Sequence, residues 1–552
     1  MIADIHITEK SFGDKTLMKD VKFSVDDGEK VGVVGRNGVG KSTLFGILSG
    51  KDTDYTGEVI FRRGITIATT AQEHHGLGDQ TVMSYILGGL PEYSKLKKII
   101  DEYPLTMGDN MRKIEEYTQA LERFDQKGFY QVEEKINREL SNFQLAGFGD
   151  RKISSLSGGQ KRLVEIVKIM HSEAHLALID EPTNHMDYMA KQQFIDWMNS
   201  QPHQAMLIIT HDRDVLGQVD RIVEIKDGQA VSYRGNYDAY LKQNAQATTA
   251  GMNNFEQIEK RIVNLKQKVL DYQRLKEKSR NPGTIQKFKR LENEARAELE
   301  ELSEMEKPTF WIDKESVGQL DYKSAERYGK FKSRNIRLSM KDASSRSQHV
   351  LVRAENVAVG IGERILFEDV NIDLREGEAI EIRGRNGAGK TTLIRMILAS
   401  GKSFDGGPVL YSGDIFLDPQ VRIGVYEQEI DERYLSDPLE KAIEKLYMSR
   451  DLSISDTKIR QLLADYLFTD ADRMTPLARL SGGQKARFQI IAMLANDPQL
   501  LILDEPTNHL DLPSIEELET ALAKYSGAIL YVSHDNYFRE KLGGKVVQIG
   551  AE

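Results

Sequence analysis

Short apolar runs recur in the first and the last third of the chain, and each is followed by polar or glycine-rich sequence. Residues 176–179 and 500–503 contain only Leu, Ala and Ile, and the apolar-rich segments 30–34 and 379–382 lead directly into glycine-rich loops. Segments predicted to be helical separate these runs. Continuous apolar strands that alternate with helices are typical of a sheet buried on both faces. The pattern therefore predicts an α/β fold with a mostly parallel sheet.

The middle of the chain carries a different pattern. Apolar residues recur at helical spacing from 254 to 278 and again from 285 to 302, and the turn signal Asn281-Pro282-Gly283 interrupts them. Two amphipathic helices joined by a tight turn form an antiparallel helical hairpin. The first of these helices would be about 40 Å long at about 1.5 Å per residue, which is long enough to project beyond a domain.

Three sequence motifs occur twice, in the same order and with similar spacing, so the chain contains two copies of one unit. The first copy is predicted over 1–243, the second over 347–552, and the helical linker over 244–346 belongs to neither. The paired motifs are Gly35–Ser42 and Gly384–Thr391, Leu156–Lys161 and Leu480–Lys485, and Asp180–His185 and Asp504–His509.

An insertion distinguishes the first copy from the second. Between corresponding motifs, the first copy has about 32 more residues than the second copy. They fall near 93–121, where the sequence is rich in charged residues and predicts a helix broken around Pro104 and Gly108. Both a surface excursion and a docking arm fit this pattern.

The composition limits the possible functions. The 552 residues include no cysteine, which excludes disulfides, thiolate metal sites and iron–sulfur clusters and fits a reducing cytoplasm. We find no apolar run long enough to cross a bilayer, so no membrane partner is expected. The net charge is −10, so any contact with nucleic acid must come from local basic patches.

The two glycine-rich octapeptides have the residues of a phosphate-binding loop. Glycines let successive backbone N–H groups turn inward and form an anion site at a helix N-terminus. Lys41 adds a charge for the β- and γ-phosphates, and the Ser42 hydroxyl can bind Mg²⁺. The predicted nucleotide-binding residues of these loops are Gly35, Asn37, Gly38, Gly40, Lys41, Ser42 and Thr43, with Gly384, Asn386, Gly387, Gly389, Lys390, Thr391 and Thr392 in the second copy.

Acidic residues and a histidine follow the apolar strands. Asp180 ends one strand, where its carboxylate can reach Mg²⁺. Alternation along that strand would point Glu181 in another direction, toward an attacking water. His211 follows the next strand and is predicted to lie near the γ-phosphate. A lone histidine is usually structural, but recurrence at the same place in both copies favours a function. The equivalent residues of the second copy are Asp504, Glu505 and His534.

Together, these motifs resemble those of the ATP-binding-cassette ATPases. Two cassettes on one chain, a charged helical linker, and Asp-Glu-Pro-Thr-Asn-His in both copies are similar to the ABC-F subfamily. Its members act on ribosomes as translation factors or as antibiotic-resistance proteins that protect ribosomes. The resemblance implies ATP and Mg²⁺ as cofactors, ATP hydrolysis, and ribosomal and transfer RNA as partners. It also implies a cytoplasmic monomer whose cassettes pair within one chain.

The resemblance further implies that the two copies share each nucleotide site. The serine and glycines of each Leu-Ser-Gly-Gly-Gln motif would clamp the γ-phosphate held by the other copy. A loop glutamine in each copy would sense Mg²⁺ and water, and an aspartate would lie at the interface. The residues implied are Ser157, Gly158, Gly159, Gln160, Ser481, Gly482, Gly483 and Gln484 for the clamps, Gln72 and Gln428 for the loop glutamines, and Asp187 and Asp511 for the interface.

The two sites differ where the family often stacks an aromatic ring on adenine. Phe12 occupies this position in the first copy, whereas the same count back from Lys390 gives Ile361. Adenine can still pack on apolar residues in the second site, and we expect the two sites to differ in affinity.

Positive charge gathers at the predicted tip of the hairpin. Glu277 is the only acidic residue between 274 and 290, whereas the base of the hairpin is acidic. A solvated charged face is the ordinary interpretation of such a run. Charge concentrated at the far end of an acidic protein instead favours contact with RNA phosphates and recognition of RNA shape. The predicted RNA-binding residues are Arg274, Lys276, Lys278, Arg280, Lys287, Lys289 and Arg290.

The sequence therefore predicts a ribosome-associated ATPase. ATP-driven closure would dock the linker on RNA, and hydrolysis would release it. A soluble twin-cassette ATPase subunit of a membrane transporter is one alternative, although it gives the helical linker no role. A DNA-maintenance ATPase is another, and turnover stimulated by double-stranded DNA would indicate it. The sequence does not choose between protection from an antibiotic and an ordinary role in translation.

Overall fold

The computed structural model divides the chain into two compact units. The first unit contains both sequence copies, Met1–Tyr237 and Ile336–Glu552, and the second unit, Asp238–Asn335, contains the linker. The described residues are 1–12, 15–70, 79–108, 110–184, 186–303, 305, 310–318, 322–338, 349–362, 364–402, 407–427 and 430–550.

The first copy is built on two sheets. Its strands are β1 (Ala3–Phe12), β2 (Lys15–Val25), β3 (Lys30–Gly35), β4 (Thr56–Phe61), β5 (Ile67–Thr69), β6 (Leu176–Asp180), β7 (Ala205–Ile209), β8 (Arg221–Lys226) and β9 (Gln229–Arg234). The larger sheet has the order β5-β6-β7-β3-β8-β9 and is parallel except for the antiparallel pair β8 and β9. The smaller sheet is antiparallel, with β1 between β2 and β4.

Helices cover both faces of the larger sheet. Alternate residues of β6 enter two different apolar cores, Ala177 and Ile179 one core and Leu176 and Leu178 the other. This explains why β6 is apolar from Leu176 to Ile179 and confirms the predicted buried parallel sheet. The helices of the first copy are α1 (Lys41–Leu48), α2 (Val82–Leu87), α3 (Tyr93–Thr106), α4 (Met111–Gln126), α5 (Val132–Asn142), α6 (Gly158–His171), α7 (Tyr188–Ser200) and α8 (Arg213–Leu216), with 3₁₀ turns at Phe129–Gln131 and Ile153–Ser155.

The insertion of the first copy forms the antiparallel pair α3 and α4. The predicted interruption at Gly108 is observed, and the Asn110 side chain accepts the backbone N–H groups of Arg112 and Lys113 to begin α4. The predicted break at Pro104 is wrong, because Pro104 lies inside α3. Pro104 lacks the N–H that would bond the carbonyl four residues earlier, but the following turn still forms, since the Met107 N–H donates to the Tyr103 carbonyl at 2.8 Å.

The linker forms a helical hairpin with two further short helices. Its helices are α9 (Tyr237–Lys278), α10 (Pro282–Ser303), α11 (Lys314–Gly318) and α12 (Tyr322–Phe331). Pro282 begins α10 at a position where its missing N–H is harmless, and Asn281 Oδ1 accepts the Gly283 N–H at 2.9 Å. The predicted turn is therefore confirmed. The 42 residues of α9 begin well before residue 254, so the helix is longer than predicted, about 63 Å at about 1.5 Å per residue.

Contacts between α9 and α10 hold the hairpin together. Leu265 and Val269 of α9 pack on Ala295 of α10 in a small apolar core. Arg261 forms two hydrogen bonds of 2.8 Å with the Glu298 carboxylate across the hairpin. None of the helices in the described ranges is long and apolar enough to cross a bilayer.

The second copy repeats this architecture. Its large sheet is parallel throughout, in the order β14-β15-β16-β12-β17, and its antiparallel sheet has β10 between β11 and β13. These strands are β10 (Val350–Ile361), β11 (Arg364–Arg375), β12 (Ala379–Arg383), β13 (Pro408–Leu417), β14 (Ile423–Tyr426), β15 (Leu500–Asp504), β16 (Ala528–Val532) and β17 (Lys545–Gln548). The helices are α13 (Lys390–Leu398), α14 (Glu432–Leu435), α15 (Leu439–Met448), α16 (Asp456–Asp465), α17 (Asp470–Arg473), α18 (Gly482–Leu494), α19 (Leu512–Ala523) and α20 (Asn536–Leu542), with a 3₁₀ turn at Leu477–Arg479.

Candidate functional site

Each glycine-rich octapeptide forms a tight loop between a strand and a helix, β3 and α1 in the first copy. Gly40 has φ 102°, and an added Cβ would lie 2.7 Å from the Leu17 side chain, so both conformation and space require glycine there. Lys41 Nζ donates to the Gly35 carbonyl at 2.6 Å and to the Arg36 carbonyl at 3.2 Å. Burial lowers the pKa of the Lys41 ammonium. The ammonium is thus enclosed by the loop, where a phosphate would lie.

The second octapeptide has the same geometry between β12 and α13. Gly389 has φ 98°, and an added Cβ would lie 2.9 Å from the Phe367 ring. Lys390 Nζ donates to the Gly384 carbonyl at 2.8 Å and to the Arg385 carbonyl at 3.1 Å. Two loops of this form give the chain two places that fit a nucleotide triphosphate.

A hydroxyl and a carboxylate meet beside each loop. Ser42 Oγ donates to Asp180 Oδ2 at 3.3 Å, and Thr391 Oγ1 donates to Asp504 Oδ2 at 2.7 Å. Hard oxygen donors are the ligands that Mg²⁺ prefers, and Mg²⁺ commonly takes one or two protein oxygens together with phosphate oxygens. The residues present therefore fit a magnesium ion that arrives with the nucleotide.

The two glutamates next to these aspartates do not lie on extensions of their strands. Glu181 has φ 46° and Glu505 has φ 52°, both in the left-handed region. The prediction that strand alternation separates each glutamate from its aspartate is therefore wrong, because the chain turns immediately after the aspartate. A non-glycine residue in this region costs on the order of 1–3 kcal/mol, and it occurs at the same place in both copies. Burial raises the pKa of both glutamates.

The two predicted histidines lie beside these glutamates. His534 N–H donates to Glu505 Oε2 at 3.1 Å, and His534 Nε2 lies 3.3 Å from Glu505 Oε1. His211 Nε2 lies 3.7 Å from Glu181 Oε1, and neither ring nitrogen of His211 has a hydrogen-bond partner among the described residues. Burial holds the pKa of both imidazoles well below the usual range, so both are neutral near pH 7. A buried imidazole without a partner fits a site that receives a ligand.

Each phosphate loop contacts the other copy. Asn37 N–H donates to Asp511 Oδ2 at 3.0 Å, and Asn37 Nδ2 donates to the His509 carbonyl at 2.9 Å. In the other direction, Asn386 N–H donates to Asp187 Oδ2 at 3.1 Å. The structure thus brings the loops together with the segments after the Asp-Glu-Pro motifs, as the resemblance implied for Asp187 and Asp511.

The Leu-Ser-Gly-Gly-Gln motifs begin helices α6 and α18. Ser157 Oγ accepts the Gln160 N–H at 3.3 Å while Gln160 Oε1 accepts the Ser157 N–H at 3.0 Å, and Ser481 and Gln484 form the same capping box. A Cβ added to Gly483 would lie only 2.0 Å from Asn37 Nδ2, which places this motif directly against the first phosphate loop.

A cavity of about 1110 Å³ joins the second phosphate loop to the first copy. Its walls contain the predicted residues of both copies, including Glu505 and His534. The remaining predicted residues that line it are Ser157, Gly158, Gly159, Gln160, Glu181, His211, Asn386, Gly387, Gly389, Lys390, Thr391, Thr392, Gly482 and Asp504. This space is large enough for a nucleotide. The predicted loop glutamines, Gln72 and Gln428, lie outside the described residues.

The positions predicted to contact adenine are exposed in both copies. Phe12 ends β1 with 57% of its surface exposed, and the Lys10 ammonium lies 4.7 Å from the ring centroid. Ile361 is 52% exposed and lines the cavity described above. The first copy therefore offers an aromatic face where the second offers an aliphatic side chain.

We expect the F12A variant to weaken ATP binding at the first site. Base–aromatic stacking contributes about 1–3 kcal/mol, which corresponds to a rise in Kd of about 5- to 150-fold. Titration with a fluorescent ATP analogue measures the effect, and I361A is the matched control. Unchanged affinity at the first site in F12A would show that Phe12 does not stack on the base.

The predicted RNA-binding residues of the linker fall into two groups. Lys276 pairs with Glu292 across the hairpin, and Arg290 Nε donates to Glu294 Oε1 at 2.8 Å within α10. The others are exposed at the tip and have no ion pair within the described part of the chain: Arg274, Lys278, Arg280, Lys287 and Lys289.

Comparison with known proteins identifies the family. The family model described as ABC transporter matches the chain twice, over residues 18–184 and 367–508. The ATP-binding protein YdiF of Bacillus subtilis is 30% identical over 560 residues, which cover 100% of this chain and 80% of YdiF. The chain belongs to the ABC-F subfamily of ATP-binding-cassette ATPases. This ABC-F protein has two cassettes that bind and hydrolyse ATP.

Two further relatives carry functional names. The ribosome protection protein VmlR of Bacillus subtilis is 27% identical, with 96% of this chain and 83% of VmlR covered. The energy-dependent translational throttle protein EttA of Mycobacterium tuberculosis is 28% identical, with 96% of this chain and 88% of EttA covered. Among solved structures, the complex of the archaeal stalk protein aP1 and the recycling factor aABCE1 matches with a TM-score of 0.59 and 17% identity, covering 99% of this chain and 87% of that chain. This last likeness concerns the fold.

Sequence reasoning missed a group of polar residues between the cassettes. Lys191, Arg213 and Glu519 are buried and take part in contacts that join the two cassettes. The sequence shows Lys191 only as an isolated lysine four residues after Asp187, and neither its burial nor its partners could be predicted from that position.

Proposed function

We propose that this ABC-F protein binds ribosomes in its ATP-bound form, with the linker hairpin on ribosomal and transfer RNA, and that ATP hydrolysis releases it. The reciprocal contacts Asn37–Asp511 and Asn386–Asp187 carry the proposal. Because each phosphate loop meets the other cassette, a nucleotide bound there contacts both cassettes and favours their closed arrangement. Each end of the linker continues into one cassette, so closure would set the position of the hairpin.

Different residues of the site would bind the phosphates, hold Mg²⁺ and activate the attacking water. The two phosphate loops, with Lys41 and Lys390, bind and orient the phosphates. The Ser42–Asp180 and Thr391–Asp504 pairs, with the loop glutamines that the resemblance implies, Gln72 and Gln428, would hold Mg²⁺, which would neutralise phosphate charge when it binds with ATP. Glu181 and Glu505 orient and activate the attacking water, and the neutral imidazoles of His211 and His534 hydrogen-bond the γ-phosphate.

The chemistry of the linker tip supports RNA as the partner. Five exposed cations lie at the tip, none of them ion-paired with any residue that the structure describes, on a protein whose net charge is −10. Charge of this kind binds phosphates without reading bases. The names of VmlR and EttA point to ribosome protection and to translation respectively, and both functions would use the same cassettes. A role on ribosomes therefore accounts for the linker better than a transporter or DNA-maintenance role does.

Nucleotide-dependent co-sedimentation tests the proposed function. We expect the wild-type protein to pellet with ribosomes in the presence of a non-hydrolysable ATP analogue and to remain in the supernatant with ADP. Lipid vesicles and double-stranded DNA serve as competitors. Binding to vesicles, or loss of ribosome binding to competitor DNA at equal phosphate concentration, would favour the transporter or the DNA-maintenance alternative. Repeating the assay with ribosomes bound to antibiotics separates protection from an ordinary role in translation.

The S481R variant should damage the site of Lys41 more than the site of Lys390. The motif that Ser481 begins lies against Asn37 of the first phosphate loop, so a bulky cation would disturb that site. Loss of the N-cap would also cost α18 about 1 kcal/mol. Nucleotide occupancy resolved by site measures the effect, and S157R is the reciprocal control. If S481R emptied the Lys390 site instead, the proposed pairing would be wrong.

A further inference from the structure

One buried ammonium group joins the two cassettes. Lys191 of α7 is 3% exposed. Its Nζ donates to Asp214 Oδ2 at 2.9 Å, lies 3.0 Å from Asp212 Oδ2, and donates to the His534 carbonyl at 2.9 Å. Three partners match the three N–H groups of a lysine ammonium. The first two follow His211 in the first cassette, and the third belongs to the catalytic segment of the second.

Two successive hydrogen bonds, through the backbone of His534, connect Lys191 to the Glu505 carboxylate. The backbone of His534 receives Lys191 at its carbonyl and donates its N–H to Glu505 Oε2 at 3.1 Å. Any movement of this backbone therefore moves the partner that orients the Glu505 carboxylate. A displacement of about 1 Å at a reacting group can slow a reaction by about 100-fold.

Neighbouring contacts fix Lys191 and its partners. Asn536 Nδ2 of the second cassette donates to Asp214 Oδ2 at 2.9 Å. Arg213 Nη1 of the first cassette donates to Glu519 Oε1 of the second at 2.9 Å, and Glu519 is fully buried. The ammonium is thus part of a largely buried polar network between the cassettes, in which removal of one partner leaves charges uncompensated.

The second cassette has no equivalent cation. Lys191 lies four residues after Asp187, and the residue four after Asp511 is Ile515, which is 2% exposed and packs in the apolar core. An aliphatic side chain cannot donate a hydrogen bond to the His211 carbonyl. The pseudosymmetry of the cassettes is therefore broken at the contact that positions the catalytic segment.

We infer that Lys191 of the first cassette is a positioning residue for ATP hydrolysis at the site of Lys390 and Glu505 in the second cassette. It acts through the backbone of His534, to whose carbonyl its ammonium donates. Its bonds to Asp212 and Asp214 also tie this site to the segment that follows His211, so the first cassette communicates with the second site through this ammonium. The inference rests on the role proposed above for Glu505.

Single-site backgrounds provide the test. E181Q leaves Glu505 as the remaining catalytic glutamate, and E505Q leaves Glu181. The K191M variant is combined with each, and single-turnover ATP hydrolysis and ATP affinity are measured without ribosomes. We expect K191M to slow hydrolysis by about tenfold or more in the E181Q background and by less than about threefold in the E505Q background, with ATP affinity changed by less than about threefold in both. K191R should restore part of the rate.

The controls separate the possible failures. K30M removes another buried lysine of the first cassette, which donates to the Gly28 and Gln201 carbonyls away from the site, and it should affect both backgrounds equally. General loss of folding in K191M would likewise slow both backgrounds. Equal slowing in both backgrounds, or no slowing in E181Q, would overturn the inference. If E505Q alone left hydrolysis unchanged, the role proposed for Glu505 would fail first.

Discussion

The E181Q/E505Q double variant should bind ATP as well as the wild type does and hydrolyse it about 100- to 10,000-fold more slowly. Glutamine has the shape of glutamate but cannot accept the proton of the attacking water. Glu505 is buried, Glu181 is partly buried, and both have raised pKa values, so a neutral amide suits their surroundings. The phosphate loops and the Ser42–Asp180 and Thr391–Asp504 pairs remain intact.

Slow hydrolysis should trap the closed form on the ribosome. We expect the double variant to remain bound to ribosomes in ATP, where the wild type is released, and to inhibit protein synthesis in a translation extract. The E165Q variant is the matched control, because Glu165 is a buried glutamate of α6 that hydrogen-bonds Tyr85 outside the site. Rapid release of the double variant in ATP would refute hydrolysis as the releasing step.

Reversing three exposed cations at the linker tip should abolish most ribosome binding without changing basal ATP turnover. The tip variant is K278E/R280E/K287E, which changes the charge by six. Each lost phosphate contact should also reduce the slope of log K against log salt by about 0.7–0.9. The nucleotide residues belong to a different compact unit from the tip, so hydrolysis without ribosomes should stay near that of the wild type.

A stem variant of equal charge separates a local contact from a general electrostatic effect. K260E/K266E/K268E reverses three exposed lysines of α9 away from the tip. Salt-dependent co-sedimentation beside basal ATPase activity compares the two variants. A similar loss of binding in both would mean that net charge of the linker matters more than the tip. If the tip variant bound ribosomes as the wild type does, with the same salt dependence, these cations would be an ordinary solvated charged face.

Sequence patterns predicted the features that depend on residues close together in the chain. The apolar runs 176–179 in β6 and 500–503 in β15 indicated a sheet buried on both faces, and Asn281-Pro282-Gly283 marked the hairpin turn. The antiparallel sheets were not predicted, because β1 and β10 are only partly buried and their runs are interrupted by polar residues. The early start of α9 was also missed, since the apolar stripe becomes regular only after residue 254.

The sequence was less informative about geometry that depends on distant residues. Repetition of Asp180-Glu181 and Asp504-Glu505 indicated their importance, but the left-handed turn at each glutamate depends on a backbone bond to the neighbouring strand, such as Glu181 N–H to the Ile209 carbonyl at 2.7 Å. The contact between Lys191 and His534 joins residues more than three hundred positions apart. No local periodicity encodes such a contact, and an isolated lysine on an amphipathic helix gives no sign of its partner.

Photo-crosslinking from the linker tip shows whether ATP binding docks the hairpin on RNA. A photoreactive amino acid replaces Asn281 in the E181Q/E505Q protein, which is mixed with translating ribosomes and either ATP or ADP before illumination. We expect crosslinks to ribosomal and transfer RNA with ATP and their loss with ADP. Equal RNA crosslinking in both nucleotides, or no RNA crosslinking while the protein remains bound to ribosomes, would contradict the claim that ATP binding docks the linker hairpin on RNA.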